Sequence, residues 1–143
     1  MRLAGGIPLD ACATLGEEAA AKLVGSAVTS SELTTKVEGT DSSAAFSMCT
    51  FSYANGAKLA LLTREAPSGD ASTEAIEAAR TSGGTMSPAT DVPGLGKAAM
   101  WSDTLKGLQV FLDDKRYLSI NFYGLPGGAD GKAQAIAVAK KLL

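Results

Sequence analysis

Histidine is absent from the 143 residues. That removes imidazole as a general acid or base, every Ser-His or Cys-His nucleophile pair, and any histidine metal ligand. Cysteine occurs only twice, and aromatic residues make up 6%. No apolar run approaches the ~18–20 residues that cross a bilayer as a helix. Met1 to Leu9 has no basic stretch followed by an apolar one, so no signal peptide is read there. Charge blocks and low-complexity tracts are missing too. A net charge of −2 gives no electrostatic footprint for nucleic acid or an anionic membrane.

What is present is ordinary for a folded chain. Hydrophobic residues are 45% and charged residues 20%, and the length suits a single domain over residues 1–143. The spacing predicts a first helix from Thr14 to Val24, with Thr14 and Glu17 as a capping box and Gly25 as the stop. Leu33, Thr35 and Val37 alternate with polar neighbours, which predicts a half-buried strand. Phe46 to Tyr53 and Lys58 to Glu65 flank Asn55-Gly56, a hairpin signal. A two-residue loop there pairs Tyr53 with Lys58, Phe51 with Ala60 and Cys49 with Leu62. An Ala-rich helix follows over Ala71 to Thr81, resting loosely on the surface, and Ser82 to Pro93 reads as irregular chain.

The second half repeats the pattern. Ala98 to Trp101 reads as a short strand. Gly107 to Leu112 and Arg116 to Tyr123 form a second hairpin. A three-residue loop pairs Leu112 with Arg116, Val110 with Leu118 and Leu108 with Ile120, which gathers the aliphatics on one face. Asp130 caps a final helix to about Leu142, with Ala133, Ile136, Ala137 and Leu143 inward. The expected fold is α+β, in the order α-β-β-β-α-β-β-β-α. An antiparallel sheet of about six strands carries helices on one face, and the halves resemble degenerate copies of one unit.

The candidate chemistry is sparse. Cys12 precedes the first helix, and Cys49 lies in a strand that helix would cover. Two readings fit. A disulfide would stabilise by about 4 kcal/mol and place the protein in an oxidising compartment. Two buried free thiols would say nothing about compartment. Gly94-Leu95-Gly96-Lys97-Ala98-Ala99 matches a loose dinucleotide fingerprint. Such a loop works only between a buried strand and a long helix, and neither flanks it, so a tight turn into a strand is the better reading. Glu17-Glu18 and Asp113-Asp114 are adjacent pairs whose side chains diverge. No Gly-x-Ser-x-Gly elbow, Ser-x-x-Lys motif or phosphate loop occurs. Phe111, Tyr117 and Tyr123 fall on the sheet face opposite Leu108, Val110, Leu118 and Ile120. Beside Gln109, Ser119 and Asn121 they form a candidate partner-contact surface; cross-strand stabilisation is the plainer reading. Trp101 is expected in the core.

Two stretches carry a resemblance. One is Asp10-Ala11-Cys12-Ala13-Thr14-Leu15 with its Glu- and Ala-rich helix and Cys49-Thr50-Phe51-Ser52-Tyr53. The other is Val92-Pro93-Gly94-Leu95-Gly96-Lys97-Ala98-Ala99-Met100-Trp101 ahead of the second hairpin and the Ala-rich terminal helix. Their order resembles small bacterial envelope and lipoprotein-type domains of unknown function. The resemblance implies export, a disulfide matching Cys12 and Cys49, and a lipid anchor on a different, upstream cysteine. It implies no established activity.

Together these features predict a non-enzymatic exported domain in the periplasm, at the cell surface or secreted. It would bind a protein partner, with no cofactor, metal or nucleic acid, and would touch a membrane only through an upstream anchor. A small-ligand carrier or sensor is the alternative, as is an inhibitor or immunity-type protein of a secreted enzyme.

Overall fold

The computed structural model describes residues 11–40, 42, 44–66, 73–81, 89–103, 106–113, 116–125 and 130–142. The elements run α1 (Ala11–Leu15), α2 (Glu17–Val24), β1 (Val28–Val37), β2 (Ala45–Tyr53), β3 (Lys58–Glu65), α3 (Thr73–Arg80), β4 (Thr90–Asp91), β5 (Ala98–Ser102), β6 (Gly107–Phe111), β7 (Arg116–Tyr123) and α4 (Gly131–Leu142). The seven strands form one antiparallel sheet in the order β1-β2-β3-β7-β6-β5-β4. This is the expected α+β architecture, with the short β4 added from a stretch read as irregular. No helix among the described residues is long and apolar enough to cross a membrane.

Two three-stranded meanders, β1-β2-β3 and β5-β6-β7, meet through their last strands, β3 and β7. The strand order is symmetrical about that seam, as a repeated unit requires. The helices break the symmetry. Helices α1, α2 and α4 pack on the inner face, around Cys49, Phe51, Leu59, Leu61, Leu108, Val110, Leu118 and Ile120, each fully buried. The expectation of helices on one face alone is corrected by α3, which lies on the other face, where Ile76 and Ala79 pack against the separate apolar cluster of Ala89, Met100 and Phe111.

The first helix is broken, not continuous. Gly16 takes φ +80°, a conformation other residues rarely adopt, and separates α1 from α2. Thr14 sits inside α1, so the expected capping box does not form. The Glu17 carboxylate instead accepts the Ser31 hydroxyl at 2.6 Å. The stop at Gly25 is where the sequence predicts it, left-handed, with the Gly25 and Ser26 N–H groups both donating to the Ala21 carbonyl.

The first hairpin is one residue out of the expected register. Its loop has three residues, 54–56, and only Gly56 takes positive φ there. Phe51 pairs with Leu59 and Cys49 with Leu61. One residue of slip turns every side chain of a strand to the other face. The two-residue loop would have put Ala60 and Leu62 inside; burial of Leu59 and Leu61 decides against it. The second hairpin has the predicted register, with Val110 opposite Leu118 and Leu108 opposite Ile120.

Strand β1 is longer than expected and is not half-buried where its alternation suggested. Leu33 is 37% and Val37 39% exposed. The register shifts between Val28 and Ser30 and between Leu33 and Thr35, so the strand twists at the sheet edge and its apolar residues lose a common face. The Asp130 cap forms, its carboxylate accepting the Ala133 N–H at 3.0 Å. The buried stripe of α4 is Gly131, Ala135, Val138, Ala139 and Leu142. Ile136 is only partly buried and the expected Ala133 is exposed; Leu143 lies outside the described residues. A helix built from Gly and Ala carries little contrast to set its phase.

Candidate functional site

The inner face is closed by a covalent staple. Cys12 on α1 and Cys49 on β2 form a disulfide, with Cα atoms 5.0 Å apart and 37 residues of separation. Free thiols are excluded, and Cys49 is fully buried. The same corner is held by the Ala11 N–H donating to Ser47 Oγ at 2.9 Å and by a Ser47–Thr63 hydroxyl pair at 3.0 Å. Tyr53 donates its hydroxyl to the Ala20 carbonyl at 3.1 Å, and burial pushes its pKa up to about 12. These polar groups are consumed in tying α1 and α2 to the sheet.

The outer face is organised in cross-strand rows, because directly opposed residues share a face. Val37, Phe46, Arg64, Tyr117, Phe111 and Ala98 form one row across six strands. Met48, Leu62, Ser119, Gln109 and Met100 form the next. Helix α3 covers the β5–β6 end of both rows. Beside it lies a groove of about 420 Å³, lined by Phe46, Leu62, Arg64, Ala75, Gln109, Phe111 and Tyr117. The Phe111 and Tyr117 rings stand 5.0 Å apart at 58°. A hydrogen-bonded chain ties this wall to the helix: Tyr117 Oη donates to Gln109 Oε1 at 2.8 Å, and Gln109 Nε2 donates to the Ala79 carbonyl at 3.0 Å. An ion pair from Arg80 Nη2 to Asp91 Oδ1 at 2.6 Å joins α3 to β4, and Glu77 pairs with Arg80 on the helix itself. Asp91 first, then Glu77, raises the Arg80 pKa.

The three predicted contact residues all lie on this outer face, but they are not equivalent. Tyr117 and Phe111 wall the groove, and Phe111 is only 5% exposed because α3 covers it. Tyr123 is 56% exposed, opposite Lys58 at the far end of β7, outside the groove. Sequence reasoning missed Phe46, Leu62, Arg64 and Ala75. The mis-set hairpin register hid Leu62 and Arg64, since it turned β3 over. The alternation of Phe46 and Met48 with Ser47 and Cys49 was a usable signal.

The remaining motifs have structural work. Gly94 and Gly96 take positive φ in a turn that delivers the chain into β5, as the reading of a tight turn requires. A Cβ on Gly96 would stand 2.7 Å from the Phe111 carbonyl oxygen and 2.9 Å from Leu112 Cα. Trp101 is buried, its Nε1–H donating to Asp103 Oδ1 at 2.8 Å. Asp113 accepts the Arg116 N–H and pairs with its guanidinium; Asp114 lies outside the described residues. Among the described residues no three acidic or cysteine side chains converge as a metal site.

Comparison with family models, with curated proteins and with solved structures finds no match.

Proposed function

We propose that this chain is an exported, non-enzymatic bacterial binding domain whose outer sheet face docks a protein partner. The observation that carries the reading is the groove beside α3. Phe46, Leu62, Phe111 and Tyr117 give it apolar and aromatic walls, the composition of the centre of protein interfaces. Gln109 and Tyr117 spend the hydrogen bonds named above on holding the wall together, so the fitting partner group is an apolar or aromatic side chain. The Cys12–Cys49 disulfide supports an address outside the reducing cytoplasm. So does the resemblance to bacterial envelope domains. Absence of imidazole, and carboxylates at Asp91, Asp113 and Asp130 tied into structural bonds, support binding over catalysis.

A photo-crosslinking residue at position 62, compared in the native host with one at exposed position 132 on α4, tests this. A discrete protein adduct from 62 that is absent from 132 and lost on Phe46→Asp is expected. No adduct, or the same adducts from both positions, overturns the reading.

The groove volume also falls within the ~300–1,000 Å³ of small-molecule sites, which favours the carrier reading second. Native mass spectrometry of gently purified protein separates the two: a co-purified small molecule lost on Leu62→Asp supports the carrier.

A further inference from the structure

We infer that the groove beside α3 takes a protein segment that sets an acidic side chain next to an aromatic or aliphatic one, with Arg64 as its charge contact. The inference rests on the proposed docking role and names the partner's chemistry. Its first support is where the charge sits. Arg64 on β3 is directly opposed by Phe46 on β2 and by Tyr117 on β7, so all three share the outer face. Leu62, two residues along the same strand, borders it in the next row. Arg64 therefore rises from the middle of the apolar lining, not from its rim. Among the described lining residues it carries the only full charge. Its side chain is partly buried, with Nε shielded from water.

Burying a charge without a counter-charge is costly. A purely apolar partner laid over this lining would strip water from the guanidinium and return nothing. A carboxylate replaces that water with charge-assisted N–H···O bonds. Arg64 also interacts within the fold, but a planar fork of five N–H donors serves a fold contact and a ligand together. The groove offers little to a cation or a donor. Gln109 Oε1 already accepts the Tyr117 hydroxyl, and Gln109 Nε2 already donates to the Ala79 carbonyl. No described lining residue is acidic, and a lysine or arginine segment would meet like charge. Specificity thus combines an attraction with a penalty. The chain's net charge is −2, so no long-range field draws an acidic partner in, and selection is made at contact.

Selection from a random peptide library displayed on phage, with the full disulfide-bonded chain as bait, tests this. Enriched peptides that shift the amide resonances of Phe46, Leu62 and Tyr117 are those held by the groove. They are expected to carry Asp or Glu beside, or one position from, Phe, Tyr, Trp or Leu. Changing that acid to its amide in the synthetic peptide should weaken binding about tenfold. Arg64→Gln in the chain should do the same, and the two changes together should cost little more than either alone. Arg64→Glu should turn the preference to Lys or Arg. The resonance mapping and the acid-to-amide change use the native chain, so an Arg64 variant that fails to fold leaves the test standing. Groove-held peptides without an acidic preference, or an acidic preference that folded Arg64→Gln leaves unchanged, overturn the charge contact while the docking role stands. Enrichment of no groove-held peptide overturns it as well, and the crosslink from position 62 then judges the docking role separately.

Discussion

The two faces of the one sheet are built to different ends. On the inner face three helices bury an aliphatic layer, a disulfide staples the first helix down, and the Ser47, Thr63 and Tyr53 hydroxyls bond to backbone or to each other. On the outer face one short helix shelters three buried residues, and the neighbouring rows stay half-exposed. The same strands supply both faces, residue by alternate residue. The difference shows that burial is segregated by strand parity: positions 59, 61, 118 and 120 lie in the main core, while 46, 62 and 117 line the outer groove.

Breaking the staple should have the largest effect. Cys12→Ser with Cys49→Ser, or reduction of the native protein, should lower unfolding free energy by about 4 kcal/mol in denaturant titration. Removing a core side chain comes next. Leu118→Ala should cost about 3 kcal/mol, whereas Phe46→Ala on the outer face should cost about 1 kcal/mol. Equal costs would abolish the distinction between the faces. Gly96→Ala probes the joint between them, since its Cβ would press on the backbone that carries Phe111. A loss of about 2 kcal/mol is expected, with chemical-shift changes centred on Phe111 and Leu112.

The smallest effect concerns Tyr53 and alkaline pH. An unfolded tyrosine ionises near its ordinary value of 10.0, while Tyr53 keeps its proton to about 12. Between those values the unfolded chain has lost a proton that the folded chain retains. Its contribution is therefore complete below pH 10 and declines as pH climbs to 12. Ultraviolet titration should show a late-ionising tyrosine that Tyr53→Phe removes, and the variant should show a flatter alkaline decline in stability.

Local chemistry was legible where one residue type has one use. Gly25 ends a helix and Asp130 starts one because a left-handed cap and a carboxylate cap are local properties. The second hairpin was readable because only one register puts Leu108, Val110, Leu118 and Ile120 together. The first was not. Leu59, Ala60, Leu61 and Leu62 are consecutive apolar residues, so either parity offers a buried face, and Asn55-Gly56 suits both a two-residue loop and the end of a three-residue one. The candidate site inherited that ambiguity, which is why Tyr117 and Phe111 were found and Leu62 and Arg64 were not. Burial of α4 was misphased for a related reason, since alanines face either way at similar cost.

The sequence by itself determined the α+β class, the Gly25 and Asp130 caps, the second hairpin and the absence of imidazole chemistry, because each follows from short-range sterics, hydrogen bonding or composition. The tertiary structure alone decided which parity of β3 is buried, that α3 crosses to the other face, and that Cys12 and Cys49 are bonded. Each of those depends on residues distant in the chain competing for one apolar surface, and local propensity is silent on who wins.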